Sequence, residues 1–301
     1  MNAIFYFSGT GNSRYVAQTL ARLTGDALYD MAQASGTVRG ALRYDRIGWV
    51  FPVHAWGLPR WVRRFMQSLP DGFAAPEAYV YGVMTCGDDI GLADRELRSV
   101  LQAKGMALRA VFSVQMPNTY VCLPGFDVDS EAVAGHKLDA SRLTLDAIAA
   151  DILSARRGVS RVTPGSMPWV KSCVLRPLFN RFFVTDRYFH ARPSCNGCHA
   201  CSAHCPVRNI RHRPDGRPEW LGHCTGCLAC YHICPQHAVR FGHATRHKGQ
   251  YTCPTDGQSR RSDRKNETAD RNVPTADRKN GQCSRHLSDH TQSIINPSDA
   301  S

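Results

Sequence analysis

At 301 residues the chain is long enough for about two domains of ordinary size, and its 43% hydrophobic content is that of soluble globular protein. No run approaches the roughly 18 apolar residues of a membrane span and no secretion leader opens the sequence, so the expectation is a cytoplasmic protein without a membrane span. The formal charge of +12 is uneven: 14 Lys+Arg face 15 Asp+Glu in residues 1–154, 13 face 3 in residues 155–244, and 10 face 7 beyond. Such a basic half suits nucleic acid, but no helix-turn-helix, zinc-finger or RNA-binding signature accompanies it, so no nucleic-acid partner is expected.

In chain order, short apolar runs predict strands at Ala3 to Phe7, Ala27 to Met31, Arg46 to Phe51, Ala78 to Met84 and Leu108 to Met116. Amphipathic stretches between and after them predict helices at Ser13 to Leu23, Pro59 to Leu69, Gly91 to Ala103 and Ser130 to Arg157. This alternation predicts an α/β domain over residues 1–157, a doubly wound five-stranded parallel sheet with helices on both faces. In such sheets ligands bind beyond the carboxyl ends of the strands, where strand order reverses.

Residues 158–190 read as a bridging segment. Trp169, Val170, Val174, Leu175, Leu178, Phe179, Phe182 and Phe183 recur there at roughly helical spacing among Lys171, Arg176 and Arg181. The expectation is a helix packing one domain onto the other, with contact to a membrane surface or a partner as the alternative. From residue 255 to 301 the apolar content collapses, which predicts a disordered tail.

Eight of the 13 cysteines lie in two runs, "CNGCHACSAHCP" from Cys195 and "CTGCLACYHICP" from Cys224, offset by 29 residues. Both spell C-x2-C-x2-C-x3-C-P, in which three thiolates on one loop grip a cubane and the fourth reaches the other cluster. The expected ligand sets are therefore crossed: Cys195, Cys198, Cys201 and Cys234 for one [4Fe-4S] cluster, and Cys224, Cys227, Cys230 and Cys205 for the other. Structural zinc is the alternative, but a third cysteine at the same step has no role in a four-ligand site. An Asp215-Gly216 turn between the runs predicts a hairpin. His199, His204, His223, His232 and His237 are read as surface or packing residues, and Cys86, Cys122, Cys173, Cys253 and Cys283 fit no ligand spacing.

The loop "FSGTGNS", Phe7 to Ser13, follows the first strand and opens the first helix. No lysine follows Gly11, so it is not a nucleoside triphosphate loop. Arg14 stands where a dinucleotide fingerprint needs its third glycine, which leaves that reading weak even with Asp30 as the ribose acid. Ser8, Gly9, Thr10, Gly11, Asn12 and Ser13 offer hydroxyls and backbone N–H groups at a helix start, which suits the terminal phosphate of FMN. Two further loops at the same sheet edge, His54-Ala55-Trp56-Gly57 and Thr85 to Gly91 with Cys86, Gly87 and Asp88, are candidates to border the flavin ring.

Together with "FPVHAWGLP", "MPNTYV" and "GFDVD", these motifs resemble the family of flavodoxin-plus-ferredoxin fusion proteins over about residues 1–254. The resemblance implies a flavodoxin-like FMN domain followed, over residues 191–254, by a small α+β bacterial-type 2[4Fe-4S] ferredoxin domain. FMN and two clusters on one chain predict a protein that moves electrons between FMN, two clusters and redox partner proteins. An FMN-dependent oxidoreductase acting on a small organic substrate or quinone is the alternative.

Overall fold

A computed structural model describes residues 1–34 and 43–254; the predicted tail and Cys283 lie outside the described residues. Six parallel strands form one sheet in the order β2-β1-β3-β4-β5-β6. They are β1 (Asn2–Tyr6), β2 (Ala27–Asp30), β3 (Tyr44–Pro52), β4 (Ala74–Cys86), β5 (Leu108–Gln115) and β6 (Val159–Arg161). The first five follow the flavodoxin-like doubly wound order, with the reversal beside β1. β6 corrects the five-stranded expectation: the start of the basic bridging segment pairs with Ala110 to Phe112 and extends the sheet.

Alternation along the strands sends side chains to two cores. Phe5, Phe7, Trp49, Phe51, Val80 and Met84 pack with α3 (Arg60–Gln67) and α4 (Ala93–Gln102). Ile4, Val50, Tyr81, Val83, Phe112 and Val114 pack with α1 (Asn12–Thr24) and α5 (Glu131–Leu153). A short helix, α2 (Met31–Ala34), follows β2. Burial of both faces explains why these strands read as near-continuous apolar runs.

After β6 the chain forms a π-helical segment (Val170–Leu175) that continues as α6 (Arg176–Phe182). The cysteine-bearing region then carries β7 (Phe189–Ala191), α7 (Ala200–Ala203), β8 (Ile210–His212), β9 (Pro218–Trp220), α8 (Ala229–His232) and β10 (Val239–Phe241). β8 and β9 form the hairpin around Asp215-Gly216, with Gly216 at φ 77° and its N–H donating to the Arg213 carbonyl. β7 pairs antiparallel with β10. Phe189, Ile210, Leu228, Tyr231, Val239 and Phe241 make a third core among the cysteines. The described residues all fall in one compact unit. Among the described residues no helix is long and apolar enough to cross a membrane.

Candidate functional site

The carboxyl ends of β1, β3, β4 and β5 open on a cleft of about 460 Å³. Its floor is the loop after β1. Gly11 stands just before α1 in the left-handed region, φ 101°, and its N–H donates to Ser8 Oγ at 3.2 Å. No side chain caps α1 and no acid lies in its first turn. The positive end of the helix dipole and the unsatisfied first N–H groups therefore face the cleft, an arrangement that suits an anion such as a phosphate monoester. The Thr10 hydroxyl lines the cleft and has no hydrogen-bond partner among the described residues.

Two of the predicted phosphate side chains have other work. Asn12 Nδ2 donates to the Pro117 carbonyl at 2.9 Å, and its Oδ1 accepts from the Tyr251 hydroxyl at 3.2 Å. Ser13 Oγ is 2.7 Å from Thr85 Oγ1, a buried link between the loop and the end of β4. What Asn12 and Ser13 leave for an anion is their backbone N–H groups.

The loop after β3 is a tight turn closed by two reciprocal bonds, His54 N–H to Gly57 O at 3.0 Å and Gly57 N–H to His54 O at 3.2 Å. Its central residues, Ala55 and Trp56, both lie at positive φ, 45° and 59°, a strained choice for non-glycine residues. The turn presents Trp56 to the cleft, with Lys171 Nζ 5.8 Å from the Trp56 ring centroid. His54 leaves part of its ring at the cleft while its Nδ1 is fully covered and without a partner. Burial, seconded by the Arg176 guanidinium, pushes its pKa down to about 4 against the opposing pull of the Thr225 backbone.

The end of β4 brings Thr85 and Cys86 to the cleft, and the loop after it brings Gly87 and Asp88. Lys137 braces it from behind, donating to the Gly87 carbonyl at 3.0 Å and pairing with Asp129 at 2.8 Å. Burial raises the Cys86 thiol to about 12, so it is a neutral packing group. Gly11, Gly57 and Gly91 do not line the cleft. A Cβ at Gly11 would meet Cys253, one at Gly57 the Arg176 guanidinium, and one at Gly91 Trp56 and Ser172, so these glycines admit neighbouring chain.

The far wall comes from residues outside the three loops expected to hold the flavin. Asn118, Tyr120 and Phe126 enter from the segment after β5, Phe179 and Phe183 from α6 and its end, and Thr225 to Leu228 from the second cysteine run. Gly9 lies against that run: a Cβ there would stand 2.7 Å from the Cys227 carbonyl oxygen and 2.9 Å from its Cβ. The segment leading to residue 254 crosses the same junction. Gln250 donates to the Cys234 carbonyl at 3.0 Å, Tyr251 N–H to His232 Nδ1 at 3.1 Å, and Cys253 N–H to the Thr10 carbonyl at 2.9 Å.

The cysteines fall into two groups. Cys195, Cys198, Cys201 and Cys234 line one small cavity. Cys205 stands with Cys224, Cys227 and Cys230, close enough for each of those three thiols to be raised by its charge. Burial is the larger cause throughout, lifting Cys201 and Cys224 to about 11 and Cys227 and Cys230 further. Backbone N–H groups of Asn209, Gly226 and Ala238 donate to the sulfurs of Cys205, Cys224 and Cys234 at 3.2, 3.3 and 3.2 Å. Such donors stabilise thiolate and set cluster potentials. Among the described residues no three His, Cys, Asp or Glu side chains close on a single metal ion. The donor set, four thiols per group with N–H bonds to sulfur, fits a polynuclear cluster.

Of the histidines in these runs, His199, His204, His223 and His237 are exposed. His232 is buried, with Nε2–H donating to the Thr119 carbonyl at 2.7 Å. It ties the second run to the segment after β5.

No family model matches the chain, and no curated protein matches it. Solved structures do. The Trp repressor binding protein from Bacillus subtilis is 16% identical over 50% of this chain and 97% of its own, at a TM-score of 0.36. The flavodoxin of Streptococcus pneumonia TIGR4 is 15% identical over 51% of this chain and 97% of its own, at 0.31. An FMN-dependent NADH-azoreductase from Bacillus anthracis is 9% identical over 50% of this chain and 100% of its own, at 0.31. At these identities and scores they add nothing to what the strand order already says.

Proposed function

We propose that the chain is an electron-transfer flavoprotein, holding FMN in the cleft and one [4Fe-4S] cluster in each cysteine group. The observation that carries this reading is the shared wall: Gly9 of the phosphate loop packs on Cys227, and both line the same cleft. FMN exchanges one or two electrons and each cluster one, so together they would convert between pairs and singles.

The chain's own residues have distinct parts. The N–H groups at the start of α1 and the Ser8 and Thr10 hydroxyls hold the phosphate. Trp56 and the loop after β4 border the ring, and Lys171 places a cation beside them. Tyr120, Phe179 and Phe183 exclude water from the far wall. The basic excess of residues 155–244 offsets the negative charge of thiolate-held clusters and steers an acidic redox partner. Anaerobic purification with iron, sulfide and flavin analysis tests the reading. It predicts about eight irons per chain, from two [4Fe-4S] groups, with one FMN; zinc, or no flavin, would overturn it.

One observation favours an FMN-dependent oxidoreductase as the second reading. The far wall adds aromatic faces from outside the strand-end loops, a surface on which a planar organic acceptor or quinone could stack. Turnover of such an acceptor without any protein partner would select this reading, and transfer only to a protein would select the carrier.

A further inference from the structure

The helix of residues 168–182 turns charged side chains inward and leaves an apolar face outward. Inward it turns Lys171, bonded to Asp89 at 2.6 Å, and Arg176, paired with Glu96 at 2.7 Å. Between them Ser172 donates to the Trp56 carbonyl and accepts from the Leu92 N–H. Outward it turns Trp169, Leu178 and Phe182, exposed by 62%, 54% and 57%, together with Val170, Val174 and Leu175. A surface helix ordinarily turns its apolar stripe to the core, and a contiguous exposed apolar face marks a contact surface.

Beside this face, between the same helix and α3, runs a groove of about 350 Å³ lined by Arg60, Arg63, Arg64 and Arg176; Glu96 pairs with Arg63 and Arg176, and Arg60 donates to the Asn180 carbonyl. Residues 155–185 carry six Lys+Arg and no Asp or Glu. We propose that this face docks on an anionic lipid bilayer, the outward side chains entering the acyl boundary and the arginine groove holding headgroup phosphate.

Charge and polarity favour a bilayer over other occupants. The outward face offers Arg181 as its one charged group, whereas protein interfaces carry a polar, hydrogen-bonding rim. A two-fold contact between copies would set Arg181 and the groove against their own duplicates. The sequence beyond residue 254 contains no apolar run longer than two residues. Phe179 of the same helix and Phe183 at its end line the cleft, so docking sets the cleft beside the bilayer.

Co-sedimentation of the full chain with vesicles of phosphatidylcholine, with and without phosphatidylglycerol, tests the proposal. The expected result is binding to the anionic vesicles, at least about tenfold weaker to phosphatidylcholine alone, with quenching of Trp169 by brominated acyl chains. The double variant Leu178→Glu/Phe182→Glu and the double variant Arg64→Glu/Arg181→Glu should each lose at least about tenfold in binding while unfolding at the temperature of the unaltered chain. Three results would overturn it: no vesicle binding, equal binding to both vesicles, or a dimer in light scattering that Leu178→Glu/Phe182→Glu dissolves.

Discussion

Gly9 and Cys227 touch backbone to backbone, 218 positions apart in the chain, with no room for a methyl group between them. One belongs to the loop that opens α1 and the other to the second cysteine run. Gly9→Ala must displace the Cys227 carbonyl, and overpacking of this kind costs about 1–3 kcal/mol. Thermal unfolding should shift down by several degrees, and iron retention should fall with it. An unchanged melting temperature would mean that the two loops do not press together.

Cys205→Ser should perturb the cluster of Cys224, Cys227 and Cys230 and spare that of Cys195, Cys198 and Cys201, while Cys234→Ser does the reverse. EPR of the reduced variants reads this out. Loss of the same signal in both variants would contradict the crossed grouping.

Thr10 and Asn12 should separate phosphate binding from architecture. Thr10→Ala removes a hydroxyl from the anion site, and a hydrogen bond to a charged group is worth about 1.5–3 kcal/mol. It should weaken FMN by roughly ten- to a hundredfold and leave riboflavin almost unchanged. Asn12→Ala instead cuts the ties to Pro117 and Tyr251, so titration should show similar losses for both flavins. A phosphate-selective loss from Asn12→Ala would reverse these assignments.

His54 should make the fold sensitive to acid. Its pKa is lowered from 6.5 to about 4. Its contribution is full above pH 6.5 and declines as pH falls toward 4, because there the unfolded chain binds a proton that the folded chain refuses. In His54→Gln, denaturant melts between pH 6.5 and 4 should lose part of the slope, by less than about 1.4 kcal/mol per pH unit. An unchanged slope would show that His54 is protonated alike in both states.

Periodicity in the sequence was enough to locate β1 to β5 and the four long helices within a few residues, because each strand is a distinct apolar run between turn signals. β6 escaped because Val159–Arg161 is three residues inside a basic, turn-rich stretch. For residues 168–182 the pattern told that two faces exist but not which one turns inward. The ion pairs of Lys171 and Arg176 decide that, and their partners Asp89 and Glu96 lie some eighty positions away.

At the candidate site, the strand-end loops were legible as glycine- and hydroxyl-rich punctuation. The duties of Asn12 and Ser13 were not, since Pro117, Tyr251 and Thr85 reach them only through the fold. Tyr251 and Cys253 carry no spacing signal at all, yet their segment crosses the phosphate loop and the second cysteine run.

The shared wall at Gly9 and Cys227 is tested most directly by the order in which electrons arrive. Under anaerobic conditions the bound flavin is photoreduced and samples are freeze-quenched for EPR. The account predicts that the first cluster signal to appear is the one altered by Cys205→Ser, followed by the one altered by Cys234→Ser. Appearance of the Cys234-dependent signal first, or of no cluster signal at all, would contradict it.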